Sequence, residues 1–272
     1  MFSNCTSLTS APLLRSQGTA QNCYYSMFSG CATLSSLSVQ LMAFGNFGGF
    51  WMNNVAPSGE FYCPRQLGTN ETITRGDYGI PTGWTVINPT VLTFSDNTLW
   101  WSDISGELTP QHVTDALSET GNTSTKLVRL DVGQHVTGIG PSALADYTQL
   151  TGVYIGENTQ YLGNNAFRRD QKVASLEWGS SLTSIDEYAL AGIQKIGQQD
   201  VPDGVTTIGS RAFQFGSVLS VVTLPESVSA IGSQAFSNNS SLLSVIFKGK
   251  TMAEVQAMAN YPWSASGKIF VE

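Results

Sequence analysis

The sequence predicts a repeat solenoid, in which short parallel β-strands stack along one face and irregular turns with few helices make up the rest. Two observations predict it. One six-place shape returns as IGPSAL, LGNNAF, IDEYAL, IGSRAF and IGSQAF, starting at Ile139, Leu162, Ile185, Ile208 and Ile231, at a constant spacing of 23. A second phrase keeps the same interval, as LVRLDV, LTGVYI, VASLEW, IGQQDV, LSVVTL and LLSVIF from Leu127, Leu150, Val173, Ile196, Leu219 and Leu242. Its first, fourth and sixth places are apolar, Gln199 being the one exception. Such a period marks coils that bury their apolar side only against their neighbours. A lone coil covers too little apolar surface to offset the entropy of ordering it, so stacking is obligatory.

The elements follow in chain order. MFSNCTSL at 1–8 returns as MFSGCATL at 27–34, a spacing of 26. Two copies are fewer than an array needs, and Met1 falls where the repeat has its own methionine. Further coils upstream, or a partner over that end, are therefore expected. Between 45 and 59 glycine and aromatics alternate as in a turn-rich strand segment, and 64–90 reads as a tail in which Gly79-Ile80-Pro81 and Gly83-Trp84 precede a short strand at 85–87. Leu92-Thr93-Phe94 and Leu99-Trp100-Trp101 flank the turn residues Ser95-Asp96-Asn97, which predicts a hairpin. Thr109 at the N-cap and Pro110 at the first turn predict a helix over 111–117.

The six-place phrase is a strand whose first, fourth and sixth side chains face inward, and the glycines at 140, 163, 209 and 232 are read as tight turns. At the end, Thr251 and Glu254 make a capping box for a helix over 251–260, which Tyr261-Pro262-Trp263 stops. Gly267-Lys268-Ile269-Phe270 follows Ser244-Val245-Ile246-Phe247 at the same repeat interval, which predicts a last strand with the helix as lid. The domain reading is an N-terminal module over 1–90, a linking hairpin and capping helix over 91–124, and a C-terminal array over 125–272 with its cap at 251–260.

Charged residues are 12% of the chain and the formal net charge is −7, which disfavours nucleic acid and anionic membrane as partners. No apolar run is long enough to span a bilayer, and no secretory signal opens the sequence. Cys5, Cys23, Cys31 and Cys63 form no metal-ligand pair. Cys5 and Cys31 hold equivalent repeat positions and read as buried fillers, or as a disulfide in an oxidising compartment. His112 and His135 carry packing or solvated roles, and no catalytic, phosphate-binding or metal motif is present, so neither an enzyme nor a cofactor is expected.

The third and fifth places of each strand phrase must point outward. They are Arg129 and Asp131, Gly152 and Tyr154, Ser175 and Glu177, Gln198 and Asp200, Val221 and Thr223, Ser244 and Ile246. The candidate ligand-binding set is Arg129, Asp131, Tyr154, Glu177, Gln198, Asp200 and Thr223, with Tyr154, Glu177 and Asp200 adjacent on successive coils. An aromatic supplies contact area and carboxylates supply orientation for a protein or glycan ligand. The bland alternative is an ordinary solvated strand face. Gln199, facing inward, either bonds a neighbouring backbone group or marks a local bulge.

The run from Leu219 to Phe236, with its IGxxAF ending, and MFSGCATL at 27–34 resemble the BspA-type (Treponema pallidum-type) leucine-rich repeats; the ending FKGKTMAEVQAMANYPW resembles the terminal segment of such proteins in gut bacteria and their phages. The resemblance implies a leucine-rich-repeat-like solenoid, placed outside the cell, on its surface or on a virion. It also implies a non-enzymatic role in adhesion to a protein or glycan on a cell surface, or, alternatively, a structural spacer or receptor-binding element of a phage tail or surface fibre. At the position where family coils usually carry Cys or Asn the second array has Tyr147, Asp170, Ile193, Gly216 and Asn239, a departure that confines the cysteine ladder to the first array.

Overall fold

The computed structural model describes residues 2–14, 24–40, 49–69, 73–76 and 79–272. The chain divides into two compact units, Met1–Pro89 and Thr90–Glu272.

In the first unit β1 (Ser36–Ser38), β2 (Gly59–Tyr62) and β3 (Trp84–Ile87) form one parallel sheet in chain order. Ser36 pairs with Glu60 and Glu60 with Thr85, so the rung spacing here is 24 and then 25. The strand read as part of a tail is thus a further rung of the same sheet. It escaped a fixed-period reading because the coil length drifts. Phe2 stacks on Phe28 at 5.5 Å between centroids, and the Phe28 ring lies 6.4 Å from Trp51 of the next coil. The Trp51 indole donates to the Gly79 carbonyl at 2.6 Å, which satisfies its buried nitrogen. Cys31 is fully buried under the first described coil, whereas Cys5, within that coil, is exposed and is not the buried filler expected. Cys23 lies outside the described residues. Burial pushes the Cys63 thiol up to about 12, so this side chain is a small apolar filler with no thiolate character.

The second unit opens with the hairpin β4 (Thr90–Phe94) and β5 (Leu99–Ser102), turned at Asn97 with φ 63°. Next come β6 (Gly106–Leu108) and α1 (Pro110–Thr120), where Thr109 caps as expected and its amide donates to Nδ1 of His112 at 3.1 Å. Strand phrases alternate with the IGxxAF phrases from there: β7 (Leu127–Asp131), β8 (Val136–Ile139), β9 (Gly152–Tyr154), β10 (Tyr161–Leu162), β11 (Ser175–Glu177), β12 (Ser184–Ile185), β13 (Gln198–Asp200), β14 (Thr207–Ile208), β15 (Val221–Leu224), β16 (Ala230–Ile231) and β17 (Ser244–Phe247). The end is α2 (Met252–Ala257) and β18 (Lys268–Val271).

Two ladders run along this unit. The back ladder, in the order β16-β14-β12-β10-β8-β6, is parallel and continuous, and it stacks Ile139, Leu162, Ile185, Ile208 and Ile231 in one buried column. Gly209 and Gly232 allow these coils to approach. A Cβ at Gly209 would stand 2.5 Å from the Asp186 carbonyl carbon, and one at Gly232 would stand 2.3 Å from the Ser210 amide nitrogen. Left-handed turns do exist in each coil, but further along and without glycine. Ser142, Asn165, Tyr188, Arg211 and Gln234 all have φ between 56° and 59°. The amides of Ser142, Asn165, Tyr188 and Arg211 donate to the next coil; that of Asn165, for instance, meets the Glu187 carbonyl at 2.9 Å.

The front ladder is formed by the strand phrases. It is in two pieces, β11-β9-β7-β4-β5 and β13-β15-β17-β18. The inward residues Leu130, Val153, Val222 and Val245 are buried against the column from the back ladder. The last strand forms as expected but one place out of step. Ser244 pairs with Lys268 and Ile246 with Phe270, a spacing of 24. The segment containing α2 replaces the usual turn and is longer by one. A slip of one reverses the side-chain faces, so Phe270 points outward at 47% exposure where the regular interval would have turned it inward.

Candidate functional site

The interruption of the front ladder lies between β11 and β13, and the sequence supplies its cause. In every other rung the fourth place of the phrase is aliphatic and packs on the rung below. At 199 it is glutamine, preceded by Gly197, which has low strand propensity and no side chain to stack. Gln199 is 7% exposed, and its amide makes one long bond, 3.4 Å, to the carbonyl of the adjacent Asp200. It bonds a backbone group, as one reading anticipated, but its own neighbour's and weakly. Elsewhere the coil start donates to the coil before it, Thr151 to Val128 at 2.9 Å, Ala174 to Thr151 at 2.8 Å and Ser220 to Gly197 at 2.7 Å. No such bond joins Gly197 to Ala174 or Trp178 to Asp200.

Because the back ladder stays paired here through Ile185 and Ile208, the coils separate on one side only. The result is a notch, a shallow recess of about 20 Å³, lined by Leu176, Leu190, Ile193, Ile196, Gln199 and Phe213 among others. Leu176 and Ile196 are half-buried there, whereas their counterparts in intact rungs are buried.

The outward residues fall on the two sides of this notch. On the lower piece Asp131, Tyr154 and Glu177 form one row in register, and Arg129, Gly152 and Ser175 form the next. The Arg129 guanidinium donates to both oxygens of Asp131, at 2.6 and 2.9 Å, and reaches Glu177 at 3.8 Å two rungs away. It can do so because the intervening rung carries Gly152, where a Cβ would stand 3.1 Å from Nη1 of Arg129. The bond to Asp131 holds the guanidinium charged above its ordinary value. Asp131 and Tyr154, expected to face solvent, are 2% and 4% exposed. Asp131 is gripped by Arg129, and the Tyr154 hydroxyl donates to Glu157 at 2.6 Å. Thr223, on the upper piece, is buried as well. Glu177, Gln198 and Asp200 are exposed on β11 and β13, the two lips of the opening in the ladder, and none of them lines the recess itself. Tyr154 and Glu177 are adjacent as expected, but Glu177 and Asp200 are not paired, because the ladder opens between them.

The notch itself was missed at the sequence level, although Gln199 was its signal. Among the described residues no cluster of three or more His, Cys, Asp or Glu side chains is arranged to hold a metal. His135 is engaged by Asp103 at 2.8 Å.

Residues 137–261 match, in six copies, the family described as the BspA type leucine rich repeat region. This stretch is a BspA-type leucine-rich repeat array. The notch and both of its lips lie inside the BspA-type array. A leucine-rich repeat protein from Bacteroides ovatus has a similar structure, with TM-score 0.50, 15% identity and coverage of 96% of this chain and 66% of that one. A leucine rich cell surface protein from Faecalibacterium prausnitzii gives TM-score 0.49 at 17% identity, over 95% of this chain and 64% of that one. The Treponema pallidum leucine rich repeat protein gives 0.47 at 21%, over 53% and 69%. The chain thus spans about two thirds of the length of these structures. No protein of curated function matches the sequence. At such identities the likeness to the Bacteroides structure speaks for the fold, a parallel leucine-rich-repeat solenoid. The BspA-type array is a repeat module suited to binding proteins, since stacked coils present an extended surface. No helix among the described residues is long and apolar enough to cross a membrane.

Proposed function

We propose that the chain is a non-enzymatic adhesion module of a cell-surface or virion-borne protein, and that it holds a protein ligand at the opening of its front ladder. The carrying observation is the notch between β11 and β13. It combines a small apolar recess, two strand ends whose Ala174 carbonyl and Gly197 amide make no bond to each other, and the exposed lips Glu177, Gln198 and Asp200. A small apolar patch ringed by polar contacts is the usual anatomy of an interface centre. A stiff back ladder holds the lips in place, so little ordering cost attends binding.

The test is surface plasmon resonance against immobilised extracellular-matrix proteins and a glycan panel, using wild type and the doubly reversed Glu177→Lys/Asp200→Lys variant. The expected result is binding of at least one matrix protein, weakened about tenfold or more in the variant with an unchanged melting temperature. Absence of binding across the protein panel, or equal affinity of the two chains, would refute the reading.

A further inference from the structure

Independently of that site, the last strand carries the pattern of a two-fold contact. β18 pairs with β17 along one edge and is the terminal strand of its sheet. The Lys268 amide donates to Leu243 and the Glu272 amide to Phe247, both toward β17. By the alternation of a strand, the amides and carbonyls of Ile269 and Val271 therefore point to the open edge. Lys268, Phe270 and Glu272 share the outward face, and all three are exposed. An exposed edge bearing Phe, Ile and Val invites pairing with another strand.

The order of charges decides which strand. We propose that β18 pairs antiparallel with β18 of a second copy of this chain, centred on Phe270. In that register Ile269 faces Val271 of the other copy, and these two residues exchange the backbone hydrogen bonds for which their groups are already oriented. Phe270 faces its own counterpart in the closer, non-hydrogen-bonded position, and cross-strand aromatic pairs of this kind are favourable. Lys268 faces Glu272 on both sides of the axis. The contact is self-complementary, as a two-fold interface must be. A parallel pairing would instead set Lys268 against Lys268. So short a strand gives a small interface, and the dimer is a weak one that a surface carrying many copies would reinforce.

Sedimentation velocity at concentrations up to about 200 µM, where a small interface is populated, tests this. Wild type is expected to dimerise. Lys268→Glu and Glu272→Lys are each expected to weaken the dimer about tenfold or more, because like charges then face each other twice. The double reversal restores the dimer, and mixing the two single variants gives a heterodimer. Melting temperatures recorded alongside show that each variant is folded, and Phe270→Glu serves as a further monomeric variant. A monomeric wild type, indifference to the single reversals, or failure of the double reversal to restore association would overturn the proposal.

Discussion

Asp170 sits fully buried in the array where another coil carries Asn239. The Asn239 side chain accepts from the Gly216 amide at 2.6 Å and donates to the Phe213 and Phe236 carbonyls at 2.9 Å each. Asp170 accepts the equivalent bond from Tyr147 at 2.7 Å, but its second oxygen has no partner. Burial lifts its carboxyl from an ordinary 3.8 to about 9, with Asp146 adding to the rise and the Tyr147 bond opposing it. The side chain is thus a neutral acid at pH 7, imitating an amide. The folded value lies above the unfolded one, so the stability linked to this proton is complete below about pH 4. It is lost as the pH climbs through the window up to about 9. Asp170→Asn is expected to remove that component. It should also stabilise the chain at pH 8 by about 1–3 kcal/mol, because the unfolded carboxyl is ionised there and must take up a proton on folding, a cost the amide does not carry. Urea midpoints of both chains from pH 4 to 9 check it; parallel curves would mean that Asp170 titrates normally. The family departure at 170 was visible in the sequence, but its meaning needed the neighbouring Asn239 geometry. The burial of Asp131 and Tyr154 was hidden for a similar reason. Only the empty place above Gly152 shows that Arg129 can reach across a rung.

At the level of elements, the back ladder was legible because its phrase repeats without slip and each coil contributes one aliphatic side chain to the same column. The front ladder was legible in its strand phrases and misjudged at two joints. The joint at β13 depends on one polar residue among aliphatics, where sequence offers alternatives and packing chooses. The joint at β18 depends on the path of a non-repeating segment around α2, whose length no periodicity counts. Gln199→Val should supply the missing aliphatic contact with Leu176 and remove an almost unpaired buried amide. A gain of about 1 kcal/mol is expected, a rise in melting temperature of roughly 2–4 °C for a unit of this size. Scanning calorimetry measures it, and a lowered melting temperature would show that Gln199 stabilises its coil.

Across the molecule, the two units follow the same rule with different tolerances. In the first, rungs at drifting intervals stack aromatic on aromatic; in the second, coils of constant length stack aliphatic columns. Constant coil length keeps the register so tight that one local exception opens a recess, and the functional proposal rests on that exception. Single-amide hydrogen exchange examines it most directly. The Gly163, Gly209 and Gly232 amides, each 2.7 Å from a carbonyl of the preceding coil, should exchange slowly along the whole back ladder. So should Ser220 and Val201 at the intact front joints. The Gly197 and Trp178 amides, which have no acceptor among the described residues, should exchange about 100-fold faster or more. Protection of Gly197 and Trp178 equal to that of Ser220 and Val201 would mean that the front ladder is continuous and that the notch does not exist.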